Sequence, residues 1–270
     1  MSGFLALLAL LAQLGLAAER VEIASADGTL LQAALVHPAG PPRGPGIVML
    51  HGCGGPVPRR DAQWARHFAA AGHPVLLPDS FGSRGLGSQC RERASQVTPG
   101  GPRRADAIAA AAWLADRPGT PPGGIVLAGW SHGGSTVLWT ARARPDLPQG
   151  LFRGFVAFYP GCRRVVDLPN YALSGRLLLL IGEDDDWTPA APCRTYVHRF
   201  ATQIDSVFYP DAGHGFDTPR QPRRTLTGVV TSAAGLGTAT IGTNEPARRD
   251  ALARVPAFIA TLPPATPPPR

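Results

Sequence analysis

The chain has 270 residues with 32 Gly, 29 Pro, 4 Cys, a formal net charge of +7, 44% hydrophobic and 17% charged residues. That length and apolar content suit one large α/β domain or two small ones, and they exclude global disorder, a collagen repeat, a solenoid and a polytopic membrane protein. All 26 basic residues are Arg, scattered as pairs with no block interleaved with aromatics, so they read as a solvated basic surface and no nucleic-acid partner is expected.

Residues 4–16 (FLALLALLAQLGL) are almost wholly apolar and precede Ala17-Ala18 and the polar Glu19-Arg20. This is the pattern of a secretory signal peptide, residues 1–18, cleaved after Ala18 and leaving no stable membrane partner. A helix packed on the body, or an uncleaved anchor, is the other reading. The four cysteines, Cys53, Cys90, Cys162 and Cys193, are even in number and lack zinc spacing, so no metal site is expected. In a periplasmic or secreted protein they can form two disulfides.

Residues 21–23 and 31–37 alternate as an opening hairpin with Asp27-Gly28 at the turn. Residues 46–51 (GIVMLH) are a buried strand, 61–71 a helix ended by Gly72, and 74–78 (PVLLP) the next strand. An Ala-rich helix over 103–114 leads to a strand over 124–129 (GIVLAG) and a helix over 132–142. Strands follow at 155–159, 177–181 and 206–209, with a helix within 188–203 and a last one over 245–261. Short apolar strands alternating with helices mean a mostly parallel sheet covered on both faces, with its site at the C-terminal strand edge. Three long connections, 79–102, 160–175 and 218–243, follow strands and should lie over that edge. The third is rich in Gly, Thr and Ser and is expected to be a mobile insertion. The Pro-rich tail, 263–270, is expected to be disordered.

Four strand ends carry the chemistry. Gly129-Trp130-Ser131-His132-Gly133 is a G-x-S-x-G sequence between a strand and a helix, the setting of a nucleophile elbow with Ser131 exposed. Gly182-Glu183-Asp184-Asp185-Asp186-Trp187-Thr188-Pro189 offers three aspartates, one of which can orient a histidine. His214 stands between glycines after a strand, a poor place for a core histidine. The order Ser, acid, His is that of the α/β-hydrolase triad. His51-Gly52-Cys53-Gly54-Gly55 forms a turn whose Cys53 N–H, with the His132 N–H, can complete an oxyanion hole.

With these motifs the chain resembles the dienelactone hydrolase family of α/β hydrolases, in particular secreted relatives with a serine nucleophile. The matching segments are HGCGG, PDSFGSRG, GWSHGG, GEDDDWTP and YPDAGHGFD. The resemblance implies an α/β-hydrolase domain over 19–262, and its G-x-x-D-x-x-x-P pattern puts the acid at Asp185. The founding members use a Cys nucleophile and a Glu in the loop matching 51–55. Here Ser131 replaces the Cys and that loop has no Glu, so fold and hydrolase class carry over more safely than the dienelactone substrate. The segment 218–243 has no assigned counterpart.

The implied activity is a cofactor-free serine hydrolase of carboxylic esters or lactones. Alternatives are an acyltransferase or peptidase on the same triad, and a binding protein on a hydrolase scaffold. Arg84, in the loop over the active edge, is a candidate for binding a substrate carboxylate, with a structural ion pair as the alternative. Trp130, beside the nucleophile, is a second substrate-contact candidate. In the implied sheet the loops bearing Cys53 and Cys90 rise from neighbouring strands, as do those bearing Cys162 and Cys193. Of three possible connectivities this favours Cys53–Cys90 and Cys162–Cys193.

Overall fold

A computed structural model describes residues 3–230, 235 and 237–265. Residues 1–2 of the expected leader, 231–234 and 236 of the expected insertion and 266–270 of the expected tail lie outside the described residues.

Helix α1 (Gly3–Gln13) buries Phe4, Leu7 and Leu11 and lies against α2 (Pro58–Ala70). Strands β1 (Ala18–Ala24) and β2 (Leu30–Val36) form the opening hairpin. Its turn has Gly28 at φ 83°, where a side chain would be strained, and Asp27 accepts the Thr29 N–H. Then follow β3 (Ile47–Leu50), α2, β4 (Val75–Pro78), α3 (Pro102–Ala115), β5 (Ile125–Trp130) and α4 (His132–Ala141). The second half holds β6 (Phe152–Phe158), a one-turn α5 (Arg163–Val166), β7 (Leu177–Gly182), α6 (Ala190–Arg199), β8 (Ile204–Tyr209), β9 (Arg224–Thr227), β10 (Thr238–Ile241) and α7 (Glu245–Thr261). Helices α2 and α3 open on Pro, whose missing N–H costs nothing at a helix start. Asn244 caps α7 by accepting the Ala247 N–H at 3.0 Å.

The main sheet has eight strands in the order β1-β2-β4-β3-β5-β6-β7-β8. The β1/β2 and β2/β4 pairs are antiparallel and the other five are parallel. Every residue of β3, β4, β5 and β7 is buried. That is why these strands read as continuous Ile, Val and Leu runs rather than alternations. The chain goes from β3 outward to β4 and then crosses back to β5 on the other side, so β3 lies at the switch point of the sheet, where a crevice opens beyond the strand ends. This is an α/β-hydrolase architecture.

The segment 218–243 contains the two-stranded antiparallel β9–β10 sheet. It rests on a small apolar cluster of Trp187, Val229 and Ala239, bordered by Cys53, Cys90, Leu226 and Ile241. Two disulfides close the loops of the active edge: Cys53–Cys90 and Cys162–Cys193, with Cα separations of 4.9 and 5.1 Å. Among the described residues no helix is long and apolar enough to cross a membrane.

Candidate active site

Ser131 stands between β5 and α4 with φ 55° and ψ −113°, a conformation that only a forced turn maintains. The flanking glycines allow the turn. A Cβ on Gly129 would collide with the Gly133 carbonyl, and one on Gly133 with the Leu50 carbonyl at the end of β3. The spacing of the motif is therefore steric, because strand, turn and helix approach too closely for any side chain there.

His214 follows β8 and its Nε2 lies 2.9 Å from Ser131 Oγ. Its Nδ1 lies 2.8 Å from Asp185 Oδ2. Asp185 is held in turn: Oδ1 accepts the N–H groups of Trp187 (2.9 Å) and Thr188 (2.8 Å), and Oδ2 accepts the Thr188 hydroxyl at 3.0 Å. The neighbouring acids do other things. Asp184 is exposed, Glu183 pairs with Arg194, and Asp186 accepts the Thr240 N–H of β10 at 2.8 Å. The His214 ring lies between Tyr159 and Trp187, with centroids 4.6 and 4.8 Å away. Its carbonyl accepts the Gly242 N–H just past β10.

The His51–Gly55 turn lies beside the serine, and a Cβ on Gly52 would contact Ser131 Cβ at 3.6 Å. Among the described residues neither the Cys53 N–H nor the His132 N–H has a hydrogen-bond partner, so both are free to donate. The Cys53 carbonyl accepts the Gln89 N–H at 2.7 Å, and the disulfide holds the same two loops together. His51 and His132 both face the buried Arg103. Its guanidinium donates to the His51 carbonyl and, at 2.7 Å, to His132 Nδ1. Burial, then the Arg103 charge, pushes the His132 pKa down to about 2 and that of His51 below its ordinary value.

Two expected substrate contacts are not made this way. Arg84 is committed to the protein: it pairs bidentately with the fully buried Asp106 at 2.8 Å, with Asp27 at 2.7 Å and with the Ser80 carbonyl. Its donors are taken, which removes it as a carboxylate anchor. Trp130 is fully buried, stacked on Phe158 at 4.8 Å and donating to Asp217, so it presents no face to a substrate.

Asp217 is the neighbour of the site that the motifs did not single out. Fully buried, it accepts from Trp64 Nε1 (2.8 Å), Trp130 Nε1 (2.7 Å) and the Tyr159 hydroxyl (2.7 Å). It joins the His214 loop to α2, to the end of β5 and to the residue after β6. Burial and then the Asp217 charge push the Tyr159 pKa far up, so the phenol stays a donor. Asp217 closes the YPDAGHGFD segment, and an acid fixed three residues after the loop histidine was the available signal. The other histidines serve elsewhere. His67 and His73 bond the Leu252 and Pro45 carbonyls, and His37 and His198 are exposed. Two surface crevices of about 200 and 380 Å³ lie around Pro38 and Gly40 at the opposite end of the sheet.

The sequence profile of the dienelactone hydrolase family matches residues 31–262. Solved structures share the fold at low identity. A Klebsiella pneumoniae protein assigned to the dienelactone hydrolases is 20% identical with a TM-score of 0.66, covering 91% of this chain and 99% of its own. Esterase 2 of Thermogutta terrifontis, phosphoramylated by tabun, is 19% identical with a TM-score of 0.65, covering 93% and 96%. An esterase from Pyrobaculum calidifontis is 19% identical with a TM-score of 0.63, covering 95% and 90%.

Proposed function

Since the chain belongs to the dienelactone hydrolase family, we propose that it is a serine hydrolase of carboxylic esters or lactones, with Ser131, His214 and Asp185 as its triad. One observation carries the reading: His214 bridges Ser131 Oγ and Asp185 Oδ2 at 2.9 and 2.8 Å. His214 Nε2 takes the Ser131 proton as Oγ bonds to the carbonyl carbon, and the carbonyl π pair moves onto oxygen. The oxyanion is received by the N–H groups of Cys53 and His132; a missing donor of this kind typically costs about 3 kcal/mol of barrier. On collapse the C–O bond to the alcohol breaks and the alkoxide takes the proton from His214. Water then gives a proton to His214 and its oxygen attacks the acyl-enzyme, releasing the acid and restoring Ser131. With a lactone, acid and alcohol leave as one hydroxy acid.

The same reading makes residues 1–18 a leader removed after Ala18 and the protein periplasmic or secreted. The two disulfides support an oxidising compartment. The β9–β10 sheet borders the acyl site. The test is fluorophosphonate labelling together with acid release from p-nitrophenyl esters. Both occur in the wild type and both vanish in Ser131→Ala, which stays folded. Turnover by that variant above a few per cent of wild type overturns the assignment. Transfer of the acyl group to an added alcohol, with little acid formed, identifies an acyltransferase instead.

A further inference from the structure

Arg103 is fully buried, yet it forms no ion pair among the described residues. Its Nη atoms bond a neutral ring and a carbonyl, and its Nε has no partner. The guanidinium lies over the Phe81 ring, 4.8 Å from the centroid. The nearby carboxylates are engaged by other groups. Asp106 is held by Arg84 and Ser25, and Asp79 accepts the Phe81 and Gly82 N–H groups. A buried cation without a contacting anion destabilises a fold by several kcal/mol, so folding alone does not account for it. Guanidinium delocalisation keeps it charged at neutral pH although burial lowers its pKa.

The two groups that it grips are the two halves of the proposed oxyanion hole. The His51 carbonyl lies one peptide before the Cys53 N–H, and the His132 ring belongs to the residue that supplies the other N–H. We propose that Arg103 is a positioning residue of the oxyanion hole: its planar fork sets the spacing of the two donors, and its unpaired charge favours the anion that forms between them. The inference rests on the hydrolase reading above. Because Arg103 donates to His132 Nδ1, that ring is the Nε2–H tautomer and stays neutral. A protonated His132 would break the bridge.

The test compares Arg103→Met, Arg103→Lys and His132→Ala with wild type on a p-nitrophenyl ester, and measures inhibition by an aryl trifluoromethyl ketone, which forms a tetrahedral oxyanion on the serine. Arg103→Met is expected to lower kcat about 100-fold with KM within about threefold, and to weaken the ketone by a similar factor. Arg103→Lys, which keeps the charge and loses the fork, recovers part of that loss. His132→Ala keeps the N–H but unlatches it and loses roughly tenfold in kcat. It carries the test if the Arg103 variants do not fold. An unchanged kcat in the folded variants, or KM and kcat falling together with ketone affinity intact, overturns the inference. If the wild type neither hydrolyses esters nor takes fluorophosphonate, the functional reading itself has failed.

Discussion

The two edges of the site are held by different physics. On the nucleophile edge, β3, β5 and α4 meet so closely that glycines are compulsory and backbone sterics place Ser131. Two arginines, the half-buried Arg84 on Asp106 and the buried Arg103 on the His51 turn, lock the surrounding loops. On the acid–base edge, Asp185 and His214 lie on loops after β7 and β8. There hydrogen bonds from Trp187, Thr188 and Gly242, and the β9–β10 sheet on its disulfide floor, do the holding. Loss of a contact that does not touch the reacting groups, such as Arg84 on Asp106, is felt on the sterically fixed edge as stability, whereas loss of a hydrogen bond within the Asp185–His214 pair is felt as activity.

The largest effect separates the edges at the acid. Asp185→Asn should lower kcat/KM by about 10³ to 10⁴, the scale for a triad acid that no longer holds its histidine tautomer. The exposed Asp184→Asn should change it by less than about twofold. Steady-state kinetics decide, and a larger loss at Asp184 would reverse the assignment. Next is a change on the fixed edge. Arg84→Ala leaves Asp106 buried and unpaired, costing about 3–5 kcal/mol in urea unfolding, with KM unchanged for anionic and neutral esters alike. A KM rise confined to anionic esters would restore Arg84 to the substrate site.

A smaller effect compares the disulfides. Cys53→Ser with Cys90→Ser loosens both the Cys53 turn and the floor of the β9–β10 sheet. It should lower kcat about tenfold, as a slightly misplaced donor does, while circular dichroism stays native. Cys162 and Cys193 are buried with both sulfurs against the Pro160 carbonyl and hold neither oxyanion donor, so removing that bridge should cost about 3 kcal/mol of stability and leave kcat near wild type. Equal kcat losses would dissolve the contrast. The smallest effect is in pH. His51, His73 and His132 are held neutral in the fold, with pKa values pushed below the ordinary 6.5 chiefly by burial. Below pH 6.5 the unfolded chain takes up protons that the folded chain refuses, so stability is full above that pH and falls as pH drops toward 4.5. Each residue contributes at most about 1.4 kcal/mol per pH unit. A Tm that rises on acidification through this window contradicts the burial of these rings.

Much of this was legible in the chain itself. The central strands announced themselves because burial on both faces demands unbroken Ile, Val and Leu, and the elbow because close backbone approach demands Gly. What stayed hidden depends on tertiary environment. Arg103 and Arg104 look like a surface pair at the start of an Ala-rich helix, and only the docking of α3 in the fold buries them both. Arg84 and Trp130 occupy site motifs yet face inward. Sequence gives a residue's address on a loop and not its direction. The β9–β10 sheet was missed because its strands are only four residues long and bury Ala239 alone; the pairing relies on the apolar floor beneath it. Which of three adjacent aspartates meets His214 came only from the family spacing, since all three share the same local composition.

The cysteine pairing has a consequence for how the molecule is made. Each cysteine is joined to the next one along the chain, across 37 and 31 residues. A chain entering an oxidant N-terminus first presents Cys53 and Cys90 before Cys162 exists to compete, and Cys162 and Cys193 after the first pair is sealed. For a chain that enters an oxidising compartment in this way, oxidation in order of emergence yields the native bridges without thiol exchange, even though the parallel sheet around them closes only when the whole chain has arrived.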